Sequence, residues 1–370
     1  MRDVVILGVG IHKFAKSWDK TIDELSGEAA MMAIKDAGIN PMDIEAGFVG
    51  NVYEFAPPGP RAFGQILQTG IPITKIETAC ASSTRALGIC YQLISAGVYD
   101  MCMVIGVEKM PRGPIAGLGA GGYGDIMGTA PPPGAYALMA MRHMKQYGTK
   151  REHFAYVSVK SHKNATMNPY AQYQKEMTME EVVNSRVISY PINLYECSPN
   201  SDGAAAAIIC SKEKAKQYST RFITMASYAA GGPLWREGEP VYIAGYTPDM
   251  AKEAYERAGI GPEDVNVAQV HDAFSPAEIF EVEDLGFCPH GEGGPFVWEG
   301  NTGINGKIPV NTDGGLLSRG HPLGATGLAM LFELVMQLRG EAGPRQVKDP
   351  KVALLQNGGV GGGVVEIFKS

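Results

Sequence analysis

The sequence predicts an α/β fold made of two similar halves, and three observations carry that expectation. First, short β-rich apolar runs alternate with amphipathic helical stretches, the pattern of strands buried on both faces. Second, Ala33 to Asn51 (AIKDAGINPMDIEAGFVGN) matches Ala254 to Asp272 (AYERAGIGPEDVNVAQVHD) at seven of nineteen positions, at a constant offset of 221 residues. Self-similarity of this kind implies one supersecondary unit used twice. Third, the chain has 370 residues, 45% of them hydrophobic and 19% charged, enough for two cores at roughly 150 residues per domain. The halves are placed at 1–215 and 220–370.

In the first half, Val4 to Gly8 reads as a buried strand, and Ile22 to Ala37 as a helix with Leu25, Ala29, Met32 and Ala33 on its apolar face. Phe48 to Tyr53, Met101 to Gly106 and Ala204 to Cys210 read as strands, and Ser82 to Ala96 as a helix. In the second half, Phe222 to Tyr228 and Val267 to Val270 are strand-like, and Pro248 to Ala258 and Thr326 to Leu338 helical. A hairpin-like pair, Val352 to Gln356 and Gly363 to Phe368, ends the chain. The shared order is strand, helix, AGI-x-P-x-D turn, strand. Pro111 to Gly134 is too rich in glycine and proline for regular structure, and a loop of that length inside a compact domain is more often functional than not. Together with the polar, helical segment up to Tyr190 it forms a short insertion at about 111–190.

Composition narrows the function classes. Lys plus Arg number 32 against 39 Asp plus Glu, a net charge of −7, so no excess of positive charge is available to hold nucleic acid. No run approaches the ~20 apolar residues that cross a bilayer, and the N-terminus lacks a basic region followed by a cleavage site. The expectation is a cytoplasmic protein that binds neither nucleic acid nor membrane. Six cysteines, at 80, 90, 102, 197, 210 and 288, form no close pair, so neither a disulfide framework nor a zinc site is expected, and no metal is assigned.

Four segments carry chemistry. Cys80, in KIETACASSTRALGIC, falls where a strand run ends and a helix begins. A helix N-terminus favours a thiolate, and Ala79, Ala81, Ser82 and Ser83 leave room for a substrate. Taken alone, Cys80 also fits a buried structural thiol. His321, in GGLLSRGHPLGATG, is bracketed by glycines that let backbone and imidazole approach a ligand; a solvated loop histidine has the same signature. His271 and Asp272 end a strand, where functional groups collect in α/β sheets. Gly359 lies in Gln356-Asn357-Gly358-Gly359-Val360-Gly361-Gly362-Gly363, a glycine run able to offer N–H groups to an oxyanion. As a phosphate loop it is weak, because the lysine and the following helix are missing. Together the segments supply a nucleophile, bases and an oxyanion hole.

On these motifs the chain resembles the thiolase superfamily, nearest the sterol-carrier-protein-X type and its archaeal and bacterial relatives. The resemblance runs from GVGIHKF to the glycine-rich end. It is carried by ACASS at Cys80, CSPNSDGAAA at 197–206, HDAFSPAE at 271–278, GHPLGATG at 320–327 and NGGVGGG at 357–363. It implies the thiolase fold, two βαβαβαββ halves in an α-β-α-β-α layering, and a homodimer. It implies CoA-dependent thiolytic cleavage of a 3-oxoacyl-CoA, or the reverse Claisen condensation. Cys80 would carry the acyl group and His321 would remove its proton. His271 would hold the thioester oxygen, with a water, and the N–H groups of Cys80 and Gly359 would form a second oxyanion hole. Coenzyme A and acyl-CoA enter as substrate and product, and no further cofactor is implied.

The departures from the family pattern matter. The family's second cysteine, in its C-terminal CxG motif, is replaced by Asn357, and the cysteine of the HDCF motif by Ala273. Cys288 or His290, in LGFCPHGEG, is a candidate substitute acid/base, as are His271 itself, a tyrosine, or a carboxylate such as Glu283. The missing thiol keeps other readings open: retro-aldol cleavage of a 3-hydroxyacyl-CoA, a ketosynthase-like Cys-His-His condensing enzyme, and a non-catalytic acyl-CoA-binding scaffold subunit. Relatives of this shape imply a small zinc-ribbon/OB-fold partner that helps hold CoA. For CoA itself the candidates are Lys145, Lys150, Arg151, Lys160 and Lys163, and for the acyl group Tyr53, Phe55, Phe63, Tyr123 and Met127.

Overall fold

The computed structural model describes residues 2–17, 19–53, 63, 69–111, 113, 131–232, 246–359 and 362–370. Phe55, Tyr123 and Met127 lie outside these residues, as does most of the glycine- and proline-rich stretch.

The first part of the chain runs β1 (Val4–Ile11), α1 (Ile22–Ala37), β2 (Ala46–Gly50), β3 (Ile73–Ile76), α2 (Ser82–Ser95) and β4 (Met101–Glu108). Helices α3 (Pro132–Tyr147) and α4 (Arg151–Ala165) follow, then a small hairpin, β5 (Val187–Ser189) with β6 (Ile192–Asn193), and β7 (Gly203–Ser211). The second part runs β8 (Ile223–Gly231), α5 (Thr247–Ala258), β9 (Val267–Gln269), α6 (Ser275–Asp284), α7 (Thr326–Arg339), β10 (Val352–Gly359) and β11 (Gly362–Lys369).

The long strands are linked in the order β3-β2-β4-β7-β1-β8-β11-β10-β9. Two pairs, Val5 with Thr224 and Ile6 with Ile223, join the halves at β1 and β8. Outward from that seam the order is mirrored. β2 and β9 are counterparts, and Val310, bridged in parallel to Ala268, stands where β3 stands beside β2.

The self-similar segments explain their own identities. Gly38 and Gly259 end α1 and α5 in the left-handed region, at φ 67° and 64°, a cap that glycine adopts without steric cost. Pro41–Asp43 and Pro262–Asp264 then form matching 3-10 turns. In each, the aspartate accepts the N–H three residues earlier, Asn40 to Asp43 at 3.3 Å and Gly261 to Asp264 at 2.9 Å.

Strand alternation sorts side chains into three cores. Val5, Leu7, Met103, Ile105, Ala206 and Ile208 pack against α1. Ile6, Val9, Val104, Ala207, Leu355 and Val364 face a central layer in which α2 (Leu87, Cys90) meets α7 (Leu331, Val335). Leu354, Val365 and Ile367 cover α5 through Met250, Ala251 and Ala254. Helix, sheet, helix, sheet, helix is the expected five-layer fold. It places the N-terminus of α2 and the loop before α7 together in the central layer.

One expected boundary moves. The glycine run was expected between two strands, whereas β10 continues through Asn357, Gly358 and Gly359, with Gly359 paired to Gly362.

Candidate active site

Cys80 sits in a tight turn between β3 and α2. Ala79 takes φ 49°, a left-handed conformation that costs a non-glycine residue about 1–3 kcal/mol and persists only where neighbours enforce it. Here they do. The Glu77 carboxylate accepts the Ala79 N–H at 2.6 Å, while the Ser82 hydroxyl accepts the Thr78 N–H at 2.9 Å and donates to the Ala79 carbonyl at 2.6 Å. The end of β10 closes on this turn. A Cβ on Gly359 would stand 2.5 Å from the Thr78 oxygen and 3.1 Å from the Ala81 nitrogen, so the approach needs glycine.

The structure brings three of the expected residues together. The Cys80 sulfur and one ring nitrogen each of His271 and His321 all lie within 4.8 Å of one another. The two rings cross at 78° with centroids 5.2 Å apart. Among the described residues no other cluster of histidine, cysteine or carboxylate ligands could hold a metal ion.

Hydrogen bonds fix the tautomers. Asn357 Nδ2 donates to the Cys80 carbonyl at 3.0 Å and to Thr84 Oγ1 at 3.3 Å. A carbonyl only accepts, so the amide orientation is set, and Asn357 Oδ1 faces His271 Nδ1 at 2.8 Å. Nδ1 therefore carries the hydrogen, and Nε2 of the neutral ring is a bare lone pair. His321 follows the same logic. Thr326 Oγ1 donates to the Pro322 carbonyl at 2.9 Å and so accepts from His321 Nδ1 at 2.7 Å. Ser201 Oγ anchors the backbone of His321, accepting its N–H at 3.0 Å.

Burial sets the charge states. It pulls His271 down to about 4, opposed by the bond to Asn357 and helped by the Arg319 guanidinium. His321 lies well below the usual range through burial, His271 and Arg319. Both imidazoles are neutral bases at neutral pH. Arg319 is fully buried and paired with Asp313. Cys80 corrects an expectation. The helix N-terminus was expected to favour its thiolate, but burial, reinforced by Glu108 and Glu77, pushes the thiol up to about 12, because desolvation penalises the charged form. At that value the sulfur is a protonated thiol at neutral pH.

A second expectation fails on geometry. Cys288 is not brought to this cluster. It packs in the outer core with Tyr255, Leu285 and Phe287, and its charged neighbours are Glu283, Glu292 and Lys307. The loop that carries it turns away after α6. His290 faces Glu283 and Asp284 on the same side. Glu283 is itself committed, accepting the Gly293 N–H at 2.7 Å and facing His143 Nε2 at 3.1 Å.

Two of the candidate CoA cations are committed to buried carboxylates: the buried Lys160 pairs with Glu278 and the half-buried Arg151 with Glu196. Lys145, Lys150 and Lys163 are exposed. Phe63 is core, packed against Gly47, whereas Tyr53 senses both Glu108 and Cys80.

Sequence reasoning missed several residues that build the site. Glu108, at the end of β4, is fully buried and accepts four N–H bonds. They come from Asn51 Nδ2 at 2.9 Å, Val52 N at 2.9 Å, Tyr53 N at 3.1 Å and Gly324 N at 3.1 Å. It ties the His321 loop to the first half beside Cys80. Its only local signal is a charge closing an apolar strand. Tyr136 and Tyr246, both near Cys80, are phenols raised by burial, and the Tyr246 hydroxyl donates to the Gly359 carbonyl at 3.3 Å.

Comparison with known proteins gives the family of the chain. Residues 4–213 match the family model for the thiolase N-terminal domain, and residues 242–366 the one described as thiolase C-terminal domain-like. An acetyl-CoA acetyltransferase of Methanothermobacter thermautotrophicus is 40% identical, over 100% of both chains. Sterol carrier protein 2 of Bos taurus is also 40% identical, over 98% of this chain and 71% of its own. Among solved structures, the Ltp2-ChsH2(DUF35) aldolase superposes with a TM-score of 0.88 at 25% identity, covering 100% of this chain and 98% of that one. The human mitochondrial 3-ketoacyl-CoA thiolase shares the fold at a TM-score of 0.77 and 19% identity, covering 100% and 99%.

Proposed function

The chain belongs to the thiolase family and is an acyltransferase, and on that premise we propose that it cleaves a 3-oxoacyl-CoA with coenzyme A, or runs the reverse condensation, through an acyl group carried on Cys80. The observation that carries this reading is the convergence of the Cys80 sulfur with two neutral imidazoles within 4.8 Å.

The steps follow from the charge states. His321 Nε2, a bare lone pair, takes the Cys80 proton as the sulfur attacks the 3-oxo carbon. The oxyanion that forms is held by the N–H groups of Cys80 and Gly359, each such donor contributing about 3 kcal/mol. The bond between C2 and C3 breaks, its electron pair entering the thioester as an enolate, and the acyl group stays on Cys80. His271 stands beside the enolate oxygen. A neutral ring protonated at Nδ1 does not donate from Nε2, so the enolate oxygen takes its hydrogen bond from a water rather than from this ring. The proton that His321 took from Cys80 is returned to the enolate carbon, which gives an acyl-CoA and restores the neutral ring; CoA thiol then attacks the acyl-enzyme, and its proton passes through His321 to the departing Cys80 sulfur.

We take 1–215 and 220–370 as the two halves, and the protein as a homodimer. The aldolase of the same fold carries a second component, ChsH2(DUF35), which supports a small partner protein that completes the CoA site. That likeness also favours a second reading, retro-aldol cleavage of a 3-hydroxyacyl-CoA. Such cleavage leaves no acyl group on the enzyme, so the retained pairing of Cys80 with His321 argues for thiolysis.

The test is thiolysis of a panel of 3-oxoacyl-CoA thioesters by the wild type, by iodoacetamide-treated enzyme and by Cys80→Ala, with intact-mass detection of acylated Cys80. Both modifications should abolish turnover. Full activity of Cys80→Ala would exclude the acyl-enzyme. Activity on 3-hydroxyacyl-CoA that survives alkylation would select the aldolase. Among the described residues no helix is long and apolar enough to cross a membrane, so the assay needs no lipid.

A further inference from the structure

Resting on that reading, we infer that His271 is the base that removes and returns the α-proton of the enolate-forming thioester, and that Asn357 is the positioning residue that holds it ready.

The reaction needs an acid/base for that proton, and among the described residues the structure sets the other candidates aside. Of the six free cysteines, Cys90, Cys102 and Cys210 are packed in the sheet cores, Cys288 lies in the outer core, and Cys197 Sγ faces the Asn193 carbonyl at 3.4 Å. None but Cys80 joins the two imidazoles. The hydroxyl of Tyr246 is spent on the carbonyls of Gly359 and Gly362, and burial keeps it and Tyr136 protonated. Glu281 is buried and held well above the carboxylate range by desolvation. Among the described residues His271 remains, with one ring nitrogen within 4.8 Å of the Cys80 sulfur.

Asn357 occupies the position of the missing thiol and makes one unnecessary. Its Nδ2 is pinned by the Cys80 carbonyl, so its Oδ1 must accept from His271 Nδ1. This couples the nucleophile's backbone to the base's tautomer. A weakly basic group suffices for such chemistry when the enolate is stabilised, as with the carboxylate base of ketosteroid isomerase, whose pKa is about 4.6.

In the condensation direction the step balances as follows. His271 Nε2 takes a proton from the carbon beside the thioester carbonyl, and the C–H pair becomes the enolate. The enolate carbon attacks the acyl carbonyl on Cys80, the C–S bond breaks, and the sulfur leaves with the electron pair. The proton on His271 passes to His321, across a gap that one water spans, and from there to the sulfur. Thiolysis runs the same path backwards.

The experiment follows two half-reactions separately with acetyl-CoA as the probe: acylation of Cys80 by intact mass, and deuterium uptake at the acetyl carbon in D₂O by NMR. His271→Asn should lower exchange by about 100-fold or more, the scale of one acid/base group, while acylation changes by less than about tenfold. Cys288→Ser should alter neither. Asn357→Leu should lose exchange, and Asn357→Asp, which keeps the acceptor for His271 Nδ1 but not the donor to the Cys80 carbonyl, should restore at least about tenfold of what Leu loses. That rescue separates positioning from mere packing and stands even where the His271 variant does not fold. Wild-type exchange in folded His271→Asn, loss of exchange in Cys288→Ser, or no difference between the Asn357 variants would overturn the inference. A wild type that acylates without exchanging would also overturn it. A wild type that never acylates Cys80 would instead refute the thiolase reading, and this inference with it.

Discussion

Replacing Glu108 with glutamine tests whether the carboxylate at the end of β4 is what holds the two halves of the site in register. Glu108 receives two donors on each oxygen: Asn51 Nδ2 and Tyr53 N on one, Val52 N and Gly324 N on the other. A glutamine amide matches the shape but can accept on one side only. Whichever way it turns, two buried donors face an NH₂ group. Each buried donor left unpaired costs about 1–3 kcal/mol, so the variant should lose about 4 kcal/mol. At about 2 °C per kcal/mol for a chain of this size, the melting temperature should fall by about 8 °C. The functional effect comes through Gly324. Its N–H bond to Glu108 positions the loop that carries His321, and a catalytic group displaced by ~1 Å can cost about 100-fold in rate. Acylation of Cys80 at saturating acyl-CoA, measured on folded protein well below the melting point, should therefore slow by about 10- to 100-fold. Burial pushes the Glu108 carboxyl up to about 7. Because the folded value lies above the ordinary 4.5, this group's contribution is full below pH 4.5 and is lost as pH rises through 7. The stability gap between wild type and Glu108→Gln should thus vary across that window and flatten outside it. A variant that melts with the wild type and acylates at the wild-type rate would refute the clamp.

Three further outcomes follow from the same geometry. Gly359→Ala places a methyl group 2.5 Å from the Thr78 oxygen; the strand end must withdraw, and acylation should fall by about 100-fold with little change in CoA affinity, measured by single-turnover kinetics and calorimetry. With its thiol pushed up to about 12, Cys80 in the free enzyme should react with iodoacetamide about tenfold faster for each pH unit from 7 to 10; a plateau below pH 9 would show a preformed thiolate instead. Arg319→Met leaves the buried Asp313 without its cationic partner and should cost about 3–5 kcal/mol in denaturant unfolding.

The parts of the fold that were legible in the sequence are those with local causes. α1 runs from Ile22 to Ala37 as expected, because its capping box at Thr21 and its left-handed Gly38 are encoded within a few residues of its ends. The AGI-x-P-x-D turn recurs for the same reason. The glycine run misled, because glycine is a weak strand former and nothing local reveals that β11 will pair with it through Gly362. Lys160 misled similarly: it looks like a surface cation until Glu278, 118 residues away, is found beside it.

The site shows the same division, and its illegible part decides the chemistry. Cys80, His271 and His321 are marked by motifs, so their types could be named without coordinates. Their protonation could not. It depends on Thr326 and Pro322 for one ring, and for the other on Asn357, which reaches the Cys80 carbonyl across 277 residues. From the sequence, Asn357 is only the absence of a thiol, and the search for a replacement turns to Cys288, which the fold packs into another core. In three dimensions the substitution has a positive content. An amide with one donor fixed by a carbonyl forces its oxygen on the neighbouring imidazole and leaves that ring's other nitrogen bare. A cysteine there could supply a base of its own; an asparagine cannot, but it can make one of the histidine it touches. On the proposal made above, the site works with two bases, and both are imidazoles.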